Sequence, residues 1–282
     1  MNRFPMHLKP ILVLFLCFGI SLLSCSLMTG RNTKFFKETK AYELAKAVEN
    51  GNLKKTERLV KKDPSLLEVT NPISGSNVLA LCLYVEQFES FEKLLQLGAD
   101  PNFTNPYTNY SILINSIMPF GSSSEWIKDN RYAKTLLEYG ADPNYSVDKD
   151  FVNEKGHYIS ATSPLIKASS LNLDLVKLLV SHGANPYSKL IEDQRIPFAS
   201  SVSASKFDII NYYIDSLNVD VLKPMRVVVR KPENIEVTYY IQDYIKRFMS
   251  YKEGSEGYKK REQLISKLEN MGVDFENYEY KL

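Results

Sequence analysis

Three cysteines, three histidines and 33 acidic residues are the side chains from which this 282-residue chain could build reaction chemistry. A thiol nucleophile needs a neighbouring base, a zinc site needs converging N and S donors, and acid–base work needs carboxylates in unequal environments. None of those patterns is present: there is no G-x-S-x-G, no Walker loop, no H-E-x-x-H and no C-x-x-C. His182 directly precedes Gly183 at the end of an amphipathic run, where a polar donor suits the negative end of a helix. His157 stands beside Gly156 in a loop stretch, and Cys82 takes a small-residue position in an apolar segment, which reads as burial. Asp100 and Asp142 fall in turns, and Glu89, Asp174 and Asp208 fall in helices, with no isolated acid pair. Catalytic residues, metal ligands and cofactors are therefore all assigned as none, and the chain reads as a non-enzyme.

Cys25 is the thiol with a chemistry of its own. The opening MNRFPMHLKP carries Arg3 and Lys9 and no acid, and an apolar or small-residue run of 13 residues follows from Ile11 to Leu23. A spanning helix needs roughly 20 apolar residues, so the run fits the core of a signal peptide. It ends in Leu22-Leu23-Ser24-Cys25-Ser26, which resembles a bacterial lipobox. That resemblance implies a diacylglyceryl thioether on the Cys25 sulfur, cleavage between Ser24 and Cys25, and a further acyl chain such as palmitate on the new amine. An ordinary secretory signal with an incidental cysteine, or an uncleaved anchor, are the alternatives. On the lipobox reading residues 1–24 are a signal peptide, residues 25–38 are the lipidated cysteine and a polar tether, and the folded domain is residues 39–282. Loss of Arg3 and Lys9 leaves 33 basic residues against 33 acidic ones. A near-neutral chain without a long basic run offers no electrostatic footprint for nucleic acid. With only Cys82 left in the folded part, an intrachain disulfide framework is excluded.

The elements that position these residues come from a repeated turn. GADPN occurs at Gly98 to Asn102 and at Gly140 to Asn144, and GANP at Gly183 to Pro186, at steps of 42 and 43 residues. SFEKLLQL, RYAKTLLEY and LDLVKLLVSH precede the three glycines, so each time an amphipathic helix runs into a residue suited to closing it. Asp or Asn then folds the following turn, and Pro fixes the next φ. About 20 residues upstream lies a shorter apolar segment, clearest in Ser163-Pro164-Leu165-Ile166-Lys167-Ala168, where Ser163 can cap a helix and Pro164 fits its first turn. This pairing resembles the ankyrin repeat, whose T-P-L-H-x-A signature and G-A-D-x-N turn recur within a unit of about 33 residues. The resemblance implies an all-α solenoid of helix-turn-helix units with short β-hairpin loops. Five to six repeats are expected, near 40–70, 77–104, 111–146, 163–188 and 196–220, with a degenerate one at 238–276.

Unequal spacing places two insertions, one at 119–127 between the helices of the third unit and one at 147–161 before the fourth. Residues 221–238 alternate like strands around Lys231-Pro232-Glu233-Asn234, which predicts an extended hairpin before the last unit. In the ankyrin family the hairpins and first helices contact protein partners. Carried onto this chain, that gives Tyr84, Phe103, Tyr107, Tyr110, Tyr145, Lys167 and Tyr187 as candidate binding residues; the single Trp126, in the inserted segment after Gly121, is a further candidate, the alternative being that it anchors that insertion. Gly98, Asp100, Asn102, Gly140, Asp142, Asn144, Gly183 and Asn185 are assigned as structural turn residues. The expected function is non-catalytic protein binding by a monomer anchored through Cys25 at a bacterial envelope membrane. Alternatives are an immunity or accessory protein for a toxin or envelope enzyme, and a secreted effector binding host proteins.

Overall fold

The computed structural model describes residues 33–117, 130–230 and 232–281, with twelve α-helices among them. The chain divides into two compact units, Met1–Asp100 and Pro101–Leu282. Ser24, Cys25, Trp126 and the insertion at 119–127 lie outside the described residues. Among those residues, no helix is long and apolar enough to cross a membrane.

The first unit holds two helix pairs, α1 (Tyr42–Glu49) with α2 (Leu53–Lys62) and α3 (Val78–Tyr84) with α4 (Phe88–Gln96). Asn52 caps α2 by accepting the Lys55 N–H at 3.0 Å, and Asn77 caps α3 by accepting the Ala80 N–H at 2.9 Å. Such a cap satisfies one of the orphan donors of a helix start and is worth about 1 kcal/mol. First helix packs on first helix and second on second, α1 against α3 and α2 against α4. The burial patterns follow from those positions. α3 is covered by neighbours and buries every residue from Val78 to Leu83, whereas α4 buries Phe91, Leu94 and Leu95 along one stripe. Cys82 donates to the Val78 carbonyl at 3.4 Å, and burial pushes its thiol well above the ordinary range. The segment expected as a free tether is packed from Thr33 onward: Thr33–Phe36 forms a 3-10 turn against α1 with Phe36 fully buried.

In the second unit, α5 (Ile112–Ile117), α7 (Pro164–Ser169), α9 (Pro197–Ser203) and α11 (Ile241–Phe248) pack one on the next. Their partners are α6 (Arg131–Glu138), α8 (Leu173–Ser181), α10 (Phe207–Asp215) and α12 (Glu256–Asn270). Ser163 caps α7 through the Ile166 N–H at 3.3 Å, with Pro164 in the first turn as its sequence predicts. His182 closes α8, its Nδ1 donating to the Leu178 carbonyl at 2.9 Å. Between the fourth and fifth repeats, the buried Tyr213 hydroxyl shares a 2.7 Å hydrogen bond with Ser169. Gly140 and Gly183 close their helices at φ +89° and +90°, a conformation that a Cβ disfavours. The fifth repeat lacks that glycine, and Asn218 takes the left-handed position instead at φ 52°, as asparagine tolerates better than other residues with a Cβ.

Both additions to this unit that lie within the described residues are hairpins. The stretch 147–161, expected only to lengthen a connection, folds as β1 (Phe151–Val152) antiparallel to β2 (Tyr158–Ile159), above a Val147–Thr162 bridge. The predicted hairpin is β3 (Arg226–Arg230) and β4 (Ile235–Tyr239), registered from Arg226 opposite Tyr239 to Arg230 opposite Ile235. After α12 the chain turns at Gly272 and folds back on the last repeat. There Asp243, 2% exposed, accepts the Tyr240 N–H at 2.9 Å, the Lys281 N–H at 2.7 Å and the Tyr278 hydroxyl at 2.6 Å.

Candidate protein-binding surface

Each first helix of the second unit is preceded by a finger, at residues 104–111, 147–162, 190–195 and 226–239. Their bases are tied by a side-chain ladder built from the repeated turn. The Asn102 carboxamide donates to the Gly140 carbonyl at 3.1 Å and accepts the Asp142 N–H at 2.7 Å. One repeat on, Asn144 donates to the Gly183 carbonyl at 2.9 Å and accepts the Asn185 N–H at 2.8 Å. A carboxamide donates from one atom and accepts at another at this reach, which suits asparagine to the fifth position of GADPN. Tyr187 holds that position in the next repeat, and its hydroxyl reaches the Leu217 carbonyl instead. Within the turn, Asp142 accepts the Asn144 N–H at 2.8 Å.

Above the bases, neighbouring fingers bond sideways. The Tyr110 hydroxyl donates to the Ser160 carbonyl at 2.9 Å, that of Tyr145 to the Asn109 carbonyl at 2.7 Å, and the Asn153 amide to the Tyr107 carbonyl at 3.1 Å. Lys155 stacks 3.7 Å from the Tyr107 ring centre. Burial opposes ionisation of Asp150, but the Tyr158 hydroxyl and the Ala161 N–H outweigh it and hold the carboxyl below its usual range. Val152 and Tyr158 on one finger, Ile191 on the next and Val229 and Ile235 on the last are each more than half exposed, Ile191 at 69%.

Solved structures give this arrangement a fold. The crystal structure of the human ASB11 ankyrin repeat domain matches with a TM-score of 0.51 at 15% identity, covering 83% of this chain and 85% of that one. The chain has the ankyrin-repeat fold. No protein-family model and no curated protein sequence matches it.

The ankyrin fingers and first helices place the predicted residues unequally. Tyr110 is buried at 8% exposure, so it is corrected from a partner contact to a finger-to-finger strut; burial raises its phenol above the ordinary range. Tyr145 and Tyr187 spend their hydroxyls on neighbouring carbonyls, Tyr187 keeping an exposed ring. Phe103 and Tyr107 are half-buried in the 104–111 finger region, and Tyr84 is half-buried on α3 of the first unit. Lys167, on α7, is half-buried, and burial together with nearby Arg195 lowers its pKa. Gly98, with φ +95°, and the exposed Asp100 end the first unit in the same turn conformation.

Sequence reasoning missed the tip residues and a cleft of about 210 Å³ at the foot of the last finger, lined by Arg226, Tyr239, Tyr244, Arg247, Phe248 and Lys281 among others. Insertion length was the available signal for the tips, because residues added to a hairpin extend it away from its base. No local signal marks the cleft, whose walls come from a strand pair, a helix and the C-terminal tail. Among the described residues, no group of three or more His, Cys, Asp or Glu side chains could hold a metal.

Proposed function

We propose that the fingers and first helices of residues 101–282 are a protein-binding surface, and that the chain is a non-catalytic adaptor held at a bacterial envelope membrane through lipid on Cys25. The observation that carries the binding reading is the run of exposed apolar side chains, Val152, Tyr158, Ile191, Val229 and Ile235, on three successive fingers. Exposed apolar side chains scattered singly need no explanation, but their recurrence on successive fingers supports an interaction surface. The hydrogen bonds that tie the bases through Asn102 and Asn144 do not involve these side chains. The exposed Tyr187 ring adds contact area at low entropic cost.

The test is capture from crosslinked envelopes of the producing cell. A discrete protein co-purifying with the wild-type chain, and lost when Val152 and Ile191 are both changed to Asp, is the expected result. Recovery of no protein, with turnover of a substrate by the purified chain, would replace the adaptor by an enzyme. The anchoring reading has its own check: fatty-acid labelling should mark the wild-type chain and not Cys25→Ala. An unlabelled, freely released wild type would overturn it.

A further inference from the structure

The cleft at the foot of the last finger holds donors that the fold leaves unused. Tyr244 is 7% exposed, yet its hydroxyl has no hydrogen-bond partner among the described residues. It lies in the electrostatic range of Arg226, Arg195, Asp193 and Arg247, and burial pushes it up to about 12, so it keeps its proton and can only serve as a neutral donor or acceptor. An acceptor bound in the cleft would take the hydrogen bond that this hydroxyl does not make within the fold.

The charges around it are unevenly spent. Arg226 pairs through Nε with Asp193 at 2.8 Å, and Lys281 pairs with Glu279 at 3.7 Å. Arg247 lies 5.5 Å from the Phe248 ring and has no carboxylate partner among the described residues. Asp243, also in the cleft wall, has both oxygens occupied by Tyr240, Tyr278 and Lys281. Two first helices away, Lys167 on α7 likewise has no carboxylate partner among the described residues. Its neighbour Arg195 gives one N–H to the Ala161 carbonyl at 2.9 Å and sits 3.7 Å from Asp193. Asp150 and Glu192 are further acids on this side: the Asp150 oxygens are taken by Tyr158 and Ala161, and Glu192 accepts the Asp150 N–H at 2.8 Å.

We infer that this face takes an acidic segment of a partner protein, one carboxylate seated between the Tyr244 hydroxyl and the Arg226 and Arg247 guanidiniums and a second drawn to Lys167 beside Arg195. The inference rests on the protein-binding reading above and names the chemistry of the partner. Arginine forks suit planar carboxylates. With Arg226 and Lys281 already paired, the cleft has little surplus charge beyond Arg247, which fits a monoanion better than a phosphate dianion. Two separated unpaired cations call for a chain carrying several acids rather than one small acid.

Binding of fluorescein-labelled hexaglutamate to the full chain in detergent, followed by anisotropy, tests this, with hexaglutamine as the neutral control and free glutamate and inorganic phosphate as competitors. The expected result is saturable binding of hexaglutamate and none of hexaglutamine. Tyr244→Phe, Arg247→Gln and Lys167→Gln should each weaken it by about fivefold or more, with unchanged thermal unfolding. Equal affinity in the three variants, or binding of hexaglutamine, overturns the assignment. So does displacement by phosphate or free glutamate at concentrations as low as hexaglutamate itself needs. If hexaglutamate fails while a protein is still captured through the finger tips, the acidic-segment assignment falls and the binding reading stands; if both fail, both fall.

Discussion

The base and the tip of one ankyrin finger follow opposite rules. At the base, Asn102 and Asn144 each donate to one backbone group and accept from another across the repeat boundary. At the tip, Val152, Ile191 and Val229 are more than half exposed. A repeat fold must solve the base the same way each time, because stacking repeats the same geometry. The tip has no such duty. That difference separates residues kept for folding from residues available for binding: Asn144 stays in the first group, Tyr110 joins it, and Ile191 falls in the second.

Substitutions can break or sharpen the contrast. The largest loss is expected for Asp243→Ala at the foot of the last finger, which strands three donors at once; about 3 kcal/mol should go in urea unfolding. A loss under half of that would mean the tail is not held there. Asn144→Ala removes one rung of the ladder between partly hydrated groups, and about 1–2 kcal/mol is expected by the same measurement. Tyr187→Phe deletes a single hydroxyl contact at an exposed ring and should cost about 0.5 kcal/mol, so a larger drop would place Tyr187 deeper in the structural group. The smallest effect belongs to the tips. Val152→Asp with Ile191→Asp should stay within about 0.5 kcal/mol of the wild-type stability, while capture of a protein from envelopes disappears.

Much of the base was legible in the sequence. Asp, Asn and Pro after a helix-ending glycine announce a turn through short-range geometry, so GADPN located its helices, and the alternation of Arg226 to Tyr239 gave the last hairpin. The partner of Asn102 was not legible, because Gly140 and Asp142 come beside it only through stacking. Tyr110 failed as a binding candidate for the same reason: its hydroxyl meets Ser160, a residue 50 positions away. Tyr244 and Arg247 carried no motif at all. Their role depends on β3 and β4, α11 and the tail meeting at one cleft, and a linear pattern does not encode such a meeting.

The most direct test places a photo-crosslinking amino acid at Ile191 in one strain and at Asn144 in another, with irradiation of whole cells. The account predicts a discrete protein adduct from the Ile191 position and none from Asn144. An adduct from Asn144 alone, or equal adducts from both, would contradict the division between folding base and binding tip.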